Sequence, residues 1–224
     1  MIGKGKSISH GVAALEYDLA KEINGQAVAT EIARHELYGC TGAEMVQEMK
    51  PYHIDFPNVK NNCLRFEVSP SIEESATFTD ADWAELGNDF MQRMGLANHQ
   101  YIIIRHSGTE SKKEQAHLHI LANRVSLSGE LYRDNWIGKK ATEAANAIAK
   151  ERNFVQSQDI GKVNKAEIKE AMDGVLKKMQ GFDFTKFKEE LGKRGFKVRE
   201  ARASTGKLNG YYVTARSGTE YKAS

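Results

Sequence analysis

The chain has 224 residues, 40% hydrophobic and 28% charged, an ordinary globular composition that suits one large domain or two small ones. No stretch approaches the ~20 apolar residues of a membrane span, and the basic start MIGKGKSISH lacks the apolar core of a secretory leader. Cys40 and Cys63 form no CxxC, which argues against a disulfide scaffold and for a cytosolic protein, and a net charge of +2 does not by itself point to nucleic acid.

The predicted elements mix strands and helices without a repeat. GKGKSIS (3–9) reads as a strand. Residues 11–22 carry Val12, Leu15 and Leu19 at helical spacing, with Ile23 just beyond continuing the series. Thr41 with Glu44 makes a capping box for a helix that runs to Met49 and stops at Pro51. Residues 52–62 read as loop. CLRFEVS (63–69) alternates, with Leu64, Phe66 and Val68 on one face and Cys63, Arg65, Glu67 and Ser69 on the other. Thr79 caps an amphipathic helix to about Met94. YIIIRH (101–106), a polar loop SGTESKKEQA and HLHILANRVSL (117–127) predict a hairpin, followed by a short strand at ELYRD. Residues 138–152, 164–179 and 184–194 are helical. Phe196–Ala203 and Leu208–Ala215 predict a last hairpin. The expected class is α+β, a mainly antiparallel sheet with helices on one face, over one domain spanning 1–224.

The densest chemistry lies at 106–119. Three of the seven histidines, His106, His117 and His119, fall within fourteen positions. His117 and His119 are two apart in a strand, so both rings point to one face. The hairpin carries His106 to the same neighbourhood. Three imidazoles that leave coordination positions open suit a catalytic divalent metal. Raw affinity favours Mn, Ni or Zn, and availability favours Mg or Mn. Glu67, on the polar face of its own strand, is placed to orient a ligand or to act as a base.

The string His106…His117-Leu-His119-Ile-Leu-Ala-Asn123-Arg-Val125 resembles the third motif of the plasmid mobilization relaxases, the MobA-like nucleases of the HUH type. Gly108 stands where family members often have an aspartate. CLRFEVSPS (63–71) is similar to the second motif, and ELYRDN (130–135) to the stretch after the histidines. The segment from FKEELGKRG to YKAS resembles the end of the relaxase domain. Relatives usually continue past it, so the resemblance implies the N-terminal domain of a longer protein.

Such enzymes attack a DNA phosphodiester with a tyrosine near the N-terminus. The matching position is Tyr17, in Gly11-Val-Ala-Ala-Leu-Glu-Tyr17. Tyr38, Tyr52 and His10 remain rivals. The resemblance implies metal-assisted nicking of one strand at an origin of transfer, with a 5′-phosphotyrosyl link. A rolling-circle replication initiator and a non-catalytic DNA-binding accessory protein are the alternatives. Single-stranded and hairpin DNA, accessory mobilization proteins and a type IV secretion coupling system are the implied partners, in a bacterial cytoplasm, with transfer of the protein along with the DNA also open.

The charge distribution is compatible with a DNA partner. Residues 183–224 hold 10 Lys/Arg against 5 Asp/Glu, while the rest of the chain holds 22 against 25. Lys193, Arg194, Lys197, Arg199, Arg202 and Lys207 are the candidate phosphate contacts, with Tyr211 and Tyr212 nearby for stacking. Lys4 and Lys6 are candidates to line the groove at the metal site.

Overall fold

The computed structural model describes residues 1–108, 115–216 and 218–223. The middle of the polar loop expected after His106, residues 109–114, lies outside the described residues. The chain divides into two compact units, Met1–Ser157 and Gln158–Ser224.

In the first unit the elements run β1 (Ile2–Ile8), α1 (Gly11–Leu19), β2 (Glu22–Ile23), β3 (Gln26–Ala27), β4 (Ala29–His35), α2 (Gly42–Met49) and a 3-10 turn (Lys50–His53). They continue with β5 (Cys63–Ser69), α3 (Ile72–Ser75), α4 (Asp80–Arg93), β6 (His99–His106), β7 (His117–Ser126) and α5 (Ile137–Glu151). The expected capping boxes form at Thr41 with Glu44 and at Thr79 with Asp82. The short strand expected at ELYRD reduces to one bridge, Leu131 with Val125.

Five strands form a sheet in the order β1-β5-β7-β6-β4, every pairing antiparallel. The α+β class and the mainly antiparallel sheet are as expected. The helices, however, cover both faces rather than one. Leu64, Phe66, Val68, Ile103 and Ile120 pack with α4 and α5 through Phe90, Met91, Ala145 and Ile148. Ile8, Cys63, Ile102, Ile104 and Leu121 pack on the other face with α1 and α2 through Leu15, Met45 and Val46. The cause is legible in β6, whose run Ile102-Ile103-Ile104 sends apolar side chains both ways and so needs cover on both sides.

β1 shows how tightly one cover is fitted. Gly3 and Gly5 face α5, and a Cβ at Gly3 would sit 2.6 Å from the Ala145 methyl, while one at Gly5 would sit 2.8 Å from the Phe66 ring. The alternate residues Lys4 and Lys6 point away and are exposed. The glycines therefore serve close approach of a helix to an edge strand, not a turn.

The second unit holds α6, which runs from the boundary residue Ser157 to Leu176, then α7 (Phe184–Lys193), β8 (Lys197–Arg202), β9 (Leu208–Thr214) and β10 (Glu220–Ala223). The strands form an antiparallel sheet in the order β10-β9-β8. Ile168, Val175, Phe187, Leu191, Phe196 and Val213 make its core. The final hairpin is as expected; β10 adds a third strand to it.

Gly3→Ala is expected to cost about 1–3 kcal/mol through overpacking against α5, whereas Lys4→Ala, which loses an ion pair between an exposed lysine and the partly exposed Glu67 carboxylate, leaves the urea midpoint nearly unchanged. Urea unfolding of the two variants checks the contrast.

Candidate metal centre and nucleophile

The central strand β7 alternates, so Leu118, Ile120 and Ala122 enter one core while His117, His119, Leu121 and Asn123 face the α1 side. His106 ends β6 directly opposite His117. The three rings close on one another, with centroids 4.5 to 5.4 Å apart. One ring nitrogen from each lies within 4.8 Å of the others, the geometry of a group able to hold a metal ion.

The individual contacts orient the rings. His117 Nδ1 donates its N–H to the Gln115 carbonyl at 3.1 Å, which leaves Nε2 with its lone pair toward the cluster. His106 Nε2 likewise donates to the Asp18 carbonyl at 2.7 Å, which leaves Nδ1 as the ligand atom. His117 Nε2 and His119 Nε2 are 3.1 Å apart. Two nitrogens bound at about 2.1 Å to one ion and about 90–110° apart would be separated by about 3.0–3.4 Å. The donor set and this spacing fit a divalent ion.

Asp18 was not foreseen, yet it organises the site. Its side chain is almost wholly buried. Arg65 grips both carboxylate oxygens, with Nε 3.0 Å from Oδ2. Asp18 Oδ1 lies 3.9 Å from His119 Nδ1, and the Arg65 guanidinium lies 3.4 Å from the same nitrogen. Turning the His119 Nδ1 proton toward the carboxylate frees Nε2 for a ligand role. The signal available was spacing: Asp18 follows Leu15 by three, on one helical face. The buried stripe of α1 is Gly11, Ala14, Leu15 and Asp18, whereas Val12 is exposed.

Burial lowers the pKa of His106 despite its bond to the Asp18 carbonyl. Burial, followed by the nearby His106, His117, Arg65 and Lys4 charges, pushes His119 down to about 2. Both rings are therefore neutral at neutral pH, as ligation requires. With His119 neutral, its approach to Asp18 is a dipolar contact rather than an ion pair.

Glu67 is paired across the sheet with His119 on one side and with Lys4 on the other. Its carboxylate accepts from Lys4 Nζ at 2.8 Å. Lys4, Lys6, Arg65, Glu67 and His119 line a cavity of about 210 Å³. Lys4, Lys6 and Glu67 thus lie beside His119. Lys193, Arg194, Lys197, Arg199, Arg202 and Lys207 lie in the second unit. There Arg194 donates to the Ala171 and Gly174 carbonyls, Arg199 pairs with Glu220 and lies over the Tyr212 ring, Arg202 pairs with Glu200, and Lys193 pairs with Glu190. Lys197 and Lys207 are exposed.

Tyr17 is the immediate neighbour of Asp18 in α1, with its side chain 57% exposed. Its hydroxyl accepts from Lys21 Nζ at 2.7 Å. Among the rivals, Tyr38 donates its hydroxyl to Glu36 at 3.1 Å, and that bond holds the phenol above its ordinary range. Tyr52 sits half-buried in the 3-10 turn. His10 lies at the N-cap of α1, the end away from Asp18.

Two outcomes are expected. Since His106 and His119 titrate below their unfolded value of about 6.5, the unfolded chain binds more protons than the folded one below that pH. Stability is then fully present above about 6.5 and falls as pH drops toward the depressed folded values. Urea unfolding in chelator at several pH values checks this, and His119→Gln should flatten the slope. Asp18→Ala should cost about 3–5 kcal/mol, because it strands the Arg65 guanidinium in a mostly buried place; the same unfolding assay measures it.

The chain is similar to known proteins. The family model for the MobA/VirD2-like relaxase nuclease domain matches residues 17–154. That stretch begins at Tyr17 and contains Asp18, Arg65, Glu67 and all three histidines. No curated protein sequence matches the chain. Among solved structures, the metal-bound conjugative relaxase TrwC in complex with oriT DNA is similar at 12% identity and a TM-score of 0.41. Its metal-free form is similar at 10% identity and the same TM-score, and each comparison covers 92% of this chain and 74% of the other. The family match spans well over half of the chain, which therefore belongs to the MobA/VirD2-like relaxase nuclease-domain family.

Proposed function

We propose that the protein is a strand-specific nicking and closing enzyme that cuts one DNA strand at an origin of transfer. One observation carries this reading: the exposed Tyr17 phenol is the chain neighbour of Asp18, whose carbonyl and carboxylate meet the histidine cluster. His106, His117 and His119 would hold a divalent ion, Mg or Mn by availability and Ni or Zn by affinity. Bound there, such an ion would supply Lewis-acid polarisation of the scissile phosphate.

The rest of the chemistry falls to the chain. Tyr17 Oη forms a bond to phosphorus while the bond from phosphorus to the 3′ oxygen breaks. The product is a 5′-phosphotyrosine and a free 3′-hydroxyl, and reversal reseals the strand. The phenol proton leaves toward a base, for which Glu67 is the candidate, since both oxygens of the Asp18 carboxylate are already engaged by Arg65. The departing 3′ oxygen takes up one proton. Lys21, hydrogen-bonded to Tyr17 Oη, offsets the charge that builds on that oxygen. Lys4, Lys6 and Arg65 give the cavity a cationic wall for the DNA backbone.

We further propose that residues 1–224 serve as one nuclease domain, with Lys197, Arg199 and Lys207 contacting phosphates of the origin hairpin. Accessory mobilization proteins and a secretion coupling system in a bacterial cytoplasm complete the setting. Among the described residues no helix is long and apolar enough to cross a membrane.

Tyr17→Phe should abolish the covalent protein–DNA adduct on supercoiled plasmid carrying the origin, while leaving DNA binding intact; an adduct formed at the normal rate would overturn the assignment. Mn²⁺ or Ni²⁺ at a hundred times Kd should stabilise the protein by about 2.7 kcal/mol, read as a rise in Tm. His117→Ala with His119→Ala should erase that rise.

A further inference from the structure

Trp136 is the most exposed of the large hydrophobic side chains among the described residues, at 80%. It also adopts a left-handed backbone, φ 58°, ψ 28°. A bulky L-residue is strained there, and a glycine or asparagine would serve the turn at less cost. Folding thus gains nothing from this ring, which buries almost no surface and strains its own backbone.

The loop that displays it is firmly held. The Asp134 carboxylate accepts from Ser7 Oγ in β1 at 2.6 Å and from Arg124 in β7 at 2.6 Å. The Asp134 carbonyl accepts from the Ile137 amide, and the Trp136 carbonyl from the Lys140 amide. Lys140 Nζ donates to the Arg133 carbonyl at 2.7 Å and lies over the Tyr132 ring. A strained, exposed aromatic on a rigid mount is a common mark of a ligand contact.

Charge around the ring indicates the ligand. Arg133 and Lys139, three positions to either side in the chain, are exposed, Lys139 with Glu143 at 3.8 Å. The loop is tied to the edge strand β1 through Ser7, on the face that carries Gly3 and Gly5, and the other face of the same strand sends Lys4 and Lys6 to the cavity beside His119. Exposed cations close in the chain to an exposed aromatic suit a single nucleic-acid strand, whose phosphates meet the cations and whose bases stack on the ring. We propose that Trp136 is the stacking platform for an unpaired nucleobase of the DNA strand that β1 leads to the histidines. The inference rests on the nicking function proposed above and specifies how that enzyme holds its single strand.

Tryptophan fluorescence tests it. The chain has two tryptophans, and Trp83 is buried, so quenching by an added ligand reports on Trp136. A short oligo(dT) should quench the emission, and a blunt duplex of equal length should not. Trp136→Gly removes the backbone strain, so its Tm should equal or exceed the parent's. Its affinity for oligo(dT) should still fall about tenfold to a hundredfold, while Trp136→Tyr keeps most of it. Parental affinity in Trp136→Gly, or a change in its oligomeric mass without loss of DNA binding, overturns the proposal. Covalent adduct formation by the parent is scored separately. Adduct without any Trp136 effect sinks the platform alone, and quenching without adduct sinks the nicking reading alone.

Discussion

The buried contact between Asp18 and Arg65 is the constraint on which the site depends. α1 has only nine residues and no side-chain cap at its start, so it gains little stability by itself. Tertiary contacts hold it: a stripe of small and apolar residues on the sheet, and one carboxylate inserted among the histidines. A carboxylate in such a place is tolerated only when both oxygens are met, and Arg65 meets both. Because the same residue supplies the carbonyl that orients His106, helix and sheet are joined at the cluster. Tyr17, one residue away, inherits a fixed starting point.

The sheet supplies the complementary rigidity. β7 lies between β5 and β6, and its two histidines are set by the strand's own repeat. His106 arrives by cross-strand pairing with His117, a distance fixed by backbone hydrogen bonds rather than by a loop. Helices cover both faces of the sheet that carries the rings. A site so built meets a ligand with little rearrangement, which suits charge stabilisation by groups already in place.

Much of this was legible in the sequence, for identifiable reasons. The alternation of 63–69 placed Arg65 and Glu67 on the working face, the His-x-His spacing placed two rings together, and the Thr41 and Thr79 caps began their helices where expected. Other features were hidden. Val12 is exposed because Gly11 packs against Cys63 Sγ, turning the buried stripe of α1 onto Asp18. The Asn24-Gly25 pair, with both residues at positive φ, makes the tight turn between β2 and β3. It is a strong hairpin signal, but the strands on either side are too short to alternate visibly. β4 carries Glu31 and Arg34 and a bulge, as edge strands do, so its pattern is irregular. Arg194 looks in sequence like any other DNA-facing cation. Its engagement with carbonyls of α6 depends on residues some twenty positions away.

β1 divides its labour by parity. Gly3 and Gly5 leave no room for a single added carbon, whereas Lys4 and Lys6 stand in the open beside the histidine cavity. Positions 4 and 6 are therefore free to change, while Gly3 and Gly5 hold the helix beneath. An edge strand of this kind lets the charge of one face drift without disturbing the packing of the other, since the two properties are written on opposite sides of one ribbon.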